Sequence, residues 1–149
     1  MANGDRLGLV PFQKRGVPHI YWFSFKRLLR PGVLDLAVRR DGRHQLGAVA
    51  RSRIPRLVQG ATLDAAGRLH LSRSNLHCGE LVAPDGRRLA FVPGAEGIAF
   101  SADGKRLWAV SESGSRPYAS PRRPFTPAVM SFEWPRLLDG KRATCFQPG

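Results

Sequence analysis

Val58-Gln59-Gly60-Ala61-Thr62-Leu63-Asp64-Ala65-Ala66-Gly67-Arg68-Leu69-His70-Leu71 decides how this chain folds, because the stretch returns in altered form. The second copy reads Ala95-Glu96-Gly97-Ile98-Ala99-Phe100-Ser101-Ala102-Asp103-Gly104-Lys105-Arg106-Leu107-Trp108. Gly60 and Gly97 are 37 residues apart, as are Gly67 and Gly104. Each copy is a β-prone run, a turn closed by glycine and a second β-prone run, which is a hairpin signal. The same punctuation recurs at Asp41-Gly42, Asp85-Gly86 and Asp139-Gly140. Glycine suits such turns because it takes positive φ without a Cβ clash. Gly42 and Gly86 lie 44 residues apart, again close to one repeat.

A period of about 40 residues built from short strands is the signature of propeller blades. The fold class expected is therefore all-β and β-propeller-like. A full ring needs about four blades at the least, and the 149 residues accommodate about two and a half to three four-stranded ones, an incomplete ring. Residues 1–52 read as blade remnants, 53–93 as a blade, and 94–149 as a blade carrying a Pro/Arg-rich insertion at 115–127. His19 to Phe25 reads as the second strand of the first unit. Its Tyr21-Trp22-Phe23 run favours a strand over the rival helix across Tyr21–Arg30. Val33–Val38 and Gln45–Val49 would flank Asp41-Gly42, and a last strand is expected at Thr144–Phe146. No helix is expected. Trp22, Phe91, Phe100, Trp108 and Phe132 are read as core between blades.

Twenty of the 24 basic residues are arginine, and the formal net charge is +13. Such charge attracts nucleic acid or anionic membrane. The arginines are scattered, however, and no run has the aromatic spacing of an RNA-binding sheet. A solvated basic surface is the plainer reading, and nucleic acid is not expected as a partner. No apolar run is long enough to span a membrane, and Met1–Arg6 does not open an export signal.

Few residues group into a chemical motif. Cys78 and Cys145 lack a CxxC partner, which argues against structural zinc; the two could form one disulfide or stay free, and free thiols are the expected reading. His77-Cys78-Gly79-Glu80 packs three potential ligands together but lacks a second pair. Ser111, Ser113, His70 and His77 occur without a GxSxG elbow. His70 aligns with Trp108 in the repeat and reads as a packing residue, and His19 and His44 have no context. Arg116 and Tyr118 follow the Ser113-Gly114 corner and are the candidates for holding an anionic ligand.

Gln59-Gly60 and Glu96-Gly97 open inner strands, and Ser72-Arg73-Ser74-Asn75 and Ser111-Glu112-Ser113-Gly114 close the strands that follow. Over roughly Arg53 to Pro135 this pattern resembles the six-bladed propellers of the gluconolactonase, strictosidine-synthase and phytase-like esterase group, nearest to bacterial members without assigned activity. The resemblance implies one calcium ion at the tunnel mouth, with Glu96, Gln59, Asn75 and Glu112 as its oxygen ligands. It also implies a secreted or periplasmic protein. The plainer reading has Glu96 and Gln59 bonding backbone N–H groups of adjoining blades. Two functions follow. The first is a propeller-type binding or scaffold protein without complete catalytic machinery, with a small-molecule ligand or homo-oligomerisation left open. The alternative is a calcium-dependent lactonase or phosphoesterase-like hydrolase.

Overall fold

Three short carboxylate-glycine turns organise the chain. The Asp64 Oδ1 atom accepts from the amides of Ala66 and Arg68, Asp85 Oδ1 accepts from Arg87, and Asp103 Oδ1 accepts from Lys105. The glycine of each turn, Gly67, Gly86 and Gly104, takes a φ of 73, 84 and 68°, the left-handed region where a Cβ is strained. A computed structural model describes residues 2–12, 15–29, 48–75, 78–111 and 128–144. In it the three turns close hairpins, and the hairpins join into antiparallel meanders.

The first sheet holds β1 (Ala2–Asn3), β2 (Arg6–Leu9), β3 (His19–Ser24) and β4 (Ala48–Arg53), in that order. The second holds β5 (Val58–Leu63), β6 (Leu69–Ser74), β7 (Gly79–Val82) and β8 (Arg88–Phe91), also in chain order. The third has β9 (Ala95–Phe100) and β11 (Ala128–Glu133) on either side of β10 (Arg106–Ser111). The chain is thus all-β in character, with no closed barrel among the described residues.

The repeat extends to strand register. Leu63 pairs with Leu69 as Phe100 pairs with Leu107. Counting on from these pairs, Gly60 faces Ser72 and Gly97 faces Val110. The register then slips by one residue in both hairpins, skipping Gln59 in one and Glu96 in the other. A β-bulge leaves one residue unpaired and bends its strand, so each hairpin turns aside at the same repeat position.

Two cores lie between the sheets. Ile20, Ile54, Val58 and Leu71 form one, with Trp22 and Val82 packed against it. Leu81, Leu89, Ala95, Ile98, Leu107 and Ala109 form the other, with Phe91, Phe100, Phe132 and Trp134 at its margin. Complete burial of a side chain such as Leu81 or Leu107 contributes about 1.5–3 kcal/mol, so the middle sheet is held from both faces.

Several expectations need correction. The strand over His19–Ser24 forms, but it is the third of its sheet and not the second, because Ala2–Asn3 and Arg6–Leu9 precede it. It leads into one helical turn, α1 (Phe25–Leu28). Ser24 caps that turn by accepting from the Arg27 amide at 3.3 Å, as an N-cap serine does. Asp5 Oδ1 accepts from the Lys26 amide at 2.7 Å. Asp139-Gly140 does not close a hairpin: Arg136–Asp139 is a 3₁₀ turn. The segment after it does not continue the third sheet. It pairs with β8 through a Leu89–Arg142 bridge, with Ala90 N donating to Lys141 O and Ala143 N donating to Arg88 O. Trp108 is 43% exposed and is not core. Cys78 is disulfide-bonded and not a free thiol. The chain's other cysteine, Cys145, lies outside the described residues, as do residues 30–47 and 112–127.

Candidate functional site

The two bulges bring the fold's most suggestive residues together. β5 and β9 are the first strands of consecutive sheets, and the 37-residue repeat places Gln59 and Glu96 at equivalent points on them. Their side chains meet, with Gln59 Nε2 donating to Glu96 Oε1 at 3.1 Å. Gly60 makes this approach feasible. A Cβ on it would lie 2.5 Å from Ser72 Oγ and 2.8 Å from the Glu96 carbonyl oxygen. Ser72 Oγ, wholly buried, donates to the Ala95 carbonyl at 2.7 Å and ties the same strands together. Gln59 and Glu96 thus bond side chain to side chain between consecutive sheets. Gln59 Oε1 is buried with no hydrogen-bond partner among the described residues.

Asn75 has another task. Its Oδ1 accepts from the Cys78 amide at 2.9 Å, and its own amide donates to the Cys78 carbonyl at 3.0 Å. It thereby closes the turn from β6 to β7. Glu112, Arg116 and Tyr118 lie outside the described residues. Among the described residues no three His, Cys, Asp or Glu side chains gather as a metal would require.

His70 is almost fully buried, edge-on to Phe100 at 5.2 Å and to Trp134 at 4.9 Å between ring centroids. Its Nε2 lies 3.1 Å from Asp64 Oδ2. Burial pulls the imidazole's pKa below its ordinary value, and the Asp64 carboxylate opposes this without cancelling it. Burial also raises Asp64, but bonds from the Arg68 amide, His70 and the Arg68 side chain outweigh it and leave the carboxyl below its ordinary range. The neutral ring donates from Nε2 and leaves Nδ1 unpartnered among the described residues. Enclosed in this way, His70 packs and braces the hairpin turn.

Two polar features were not legible in the sequence. Arg73 and Glu80 face each other across β6 and β7, with Arg73 Nη1 donating to Glu80 Oε1 at 3.2 Å. Arg88 reaches the same oxygen at 3.4 Å, and Arg73 Nε donates to the Arg56 carbonyl at 2.7 Å. Glu80 is fully buried. Removing its carboxylate would leave an uncompensated buried guanidinium, typically costing about 3–5 kcal/mol. The nearest sequence signal was Glu80 in the His77–Glu80 cluster; its arginine partners lie on the strands either side, and only the register of β6, β7 and β8 brings them to it.

The second feature is a cleft of about 970 Å³ between β8 and the returning segment, lined in part by Arg87, Arg88, Leu89, Leu138 and Arg142. Arg87 is held by Asp85 at 2.7 Å and reaches the Leu138 carbonyl at 3.4 Å. Arg142 is exposed and makes no ion pair among the described residues. Guanidinium groups offer several N–H donors in fixed geometry and suit carboxylate or phosphate oxygens.

Comparison with protein-family models, with curated proteins and with solved structures gives no match. Among the described residues no helix is long and apolar enough to cross a membrane.

Proposed function

We propose that the protein is a binding module whose meanders are propeller-type blades of an incomplete ring, and that it holds an anionic ligand in the cleft between β8 and Lys141–Ala143. The observation that carries this reading is the trio Arg87, Arg88 and Arg142 lining one cleft, with Arg142 making no ion pair among the described residues. The blade arrangement is supported by the register-matched hairpins and by the close approach of β9 to Gly60. The long-range field of a chain with net charge +13 favours anions in general, so the test must localise the site. Titration of the protein with inorganic pyrophosphate by calorimetry, at near-physiological salt, should give saturable binding. Arg142→Glu should weaken it at least about tenfold, the effect of losing about 1.4 kcal/mol. Equal binding by that variant would remove the cleft from the proposal.

A second reading is favoured by the meeting of Gln59 and Glu96. Here the pair contributes oxygens to a calcium ion in a lactonase or phosphoesterase-like hydrolase, as the family resemblance implies. Calcium should then raise the thermal midpoint, because a ligand of the folded state stabilises it. EDTA and Glu96→Gln should each abolish the rise. A midpoint indifferent to calcium would leave the binding module.

A further inference from the structure

The first and second sheets are both four-stranded meanders in chain order, so β4 and β8 are equivalent last strands. Their outer edges differ. The edge of β8 is covered by an extended segment of this same chain. Ala90 N donates to Lys141 O at 2.8 Å, Ala143 N donates to Arg88 O at 2.9 Å, and Leu89 bridges Arg142. The edge of β4 has no such cover among the described residues, and every residue from Val49 to Arg53 is exposed. An uncovered edge presents a row of free N–H and C=O groups to another strand.

The register identifies those groups. Ile54 N donates to Pro18 O at 3.1 Å, which makes Arg53 and its partner His19 a non-hydrogen-bonded pair of the β3–β4 ladder. Such pairs alternate with hydrogen-bonded ones, so Arg51 and Arg53 turn their backbone N–H and C=O outward while Ser52 turns its own toward β3. The side chains of Arg51 and Arg53 share one face, opposite Tyr21 and His19. Neither arginine makes an ion pair among the described residues. Asp5 is the single carboxylate side chain of residues 2–12, 15–29 and 48–57, and it is already held by the Ser24 hydroxyl and the Lys26 amide. The other face of β4 carries the small residues Ala50 and Ser52, with Ala50 opposite the half-buried Trp22.

We propose that β4 takes up an extended acidic segment of a partner protein as a fifth strand of the first sheet. In strand addition, main-chain bonds give affinity and alternate side chains give specificity. Two carboxylates spaced two residues apart meet the guanidinium groups of Arg51 and Arg53, whose fixed N–H donors suit them. The residue between those carboxylates falls on the face of Ala50 and Ser52, where an apolar side chain packs beside Trp22. A second copy of β4 does not fit this edge. Antiparallel pairing would bring the arginines of both copies onto one face, and like charges facing each other are destabilising. The proposal rests on neither the basic cleft nor calcium.

Fluorescence anisotropy of a labelled peptide as long as β4, with glutamate and valine in alternation, tests this on the whole chain. Saturable binding of one peptide per chain is expected. The double variant Arg51→Glu, Arg53→Glu should weaken it at least about tenfold and should instead bind a peptide of alternating lysine and valine. Binding in the basic cleft would ignore that change. A second arm needs no variant: methyl groups on the glutamate nitrogens keep every charge but remove the donors that face β4, and should also weaken binding at least about tenfold. No binding by the unaltered chain at about 1 mM, the weak end of the affinity scale, overturns the proposal. So does equal binding of the methylated peptide, or of the original peptide by the folded double variant. Tighter binding of a single-stranded oligonucleotide, lost in the same variant, would make this edge a nucleic-acid site and overturn it as well.

Discussion

His70 shows how one side chain can couple the folded state to pH. Its pKa is drawn below the ordinary 6.5 by burial, so the unfolded chain takes up a proton that the folded chain refuses. Stability is then complete above pH 6.5 and is lost as pH falls below it, because the state that binds more protons gains as pH drops. Asp64 acts lower. Its pKa lies below the ordinary 3.8, so its contribution is retained above that pH and lost as pH falls through the folded value. Urea unfolding at pH 7.5 and pH 5 should show a loss with a slope of at most about 1.4 kcal/mol per pH unit, the limit for one proton. His70→Phe, which keeps the ring contacts, should flatten that slope. An unchanged slope would mean that the loss arises elsewhere. The repeat aligns His70 with Trp108, which points to packing; His70 is indeed enclosed, although Trp108 is exposed. Its bond to Asp64 was not legible, because six residues across a hairpin become neighbours only once the register is set.

At the scale of strands, Gly60 and Gly97 form a natural controlled pair. Both follow a bulge and both face the second strand of their hairpin. In Gly60→Ala the new methyl meets Ser72 Oγ and the Glu96 backbone at 2.5 and 2.8 Å. Overpacking of this kind costs about 1–3 kcal/mol. In Gly97→Ala the nearest atom is 3.7 Å away, an ordinary contact. The expected change in monomer stability is within about 0.5 kcal/mol, as for open surface sites. Chemical denaturation of both variants at low protein concentration checks this, and equal effects would contradict the stacking of β9 on β5. The two strands and their turn were visible in the 37-residue repeat. The bulge was not, because a skipped residue leaves no mark on local propensity.

For the whole molecule, packing between sheets decides the fate of the chain after Glu133. Periodicity suggested a closing hairpin at Asp139-Gly140, yet the segment crosses to β8 and forms one wall of the basic cleft.

The sequence by itself determined the strands of the second sheet, the turns that join them and the repeat relating them to the third. These depend on local chemistry: glycine at positive φ, carboxylates that accept adjacent amides, and runs of β-prone residues. Only the tertiary structure decided that Gln59 meets Glu96, that Glu80 lies between Arg73 and Arg88, and that Trp108 faces outward while His70 is enclosed. The physical reason is that such encounters follow from strand register and from which sheet covers which face. Register brings together side chains that local propensity does not link, and the cover of a face is set by segments far apart in the chain, so equivalent positions in a repeat can experience opposite surroundings.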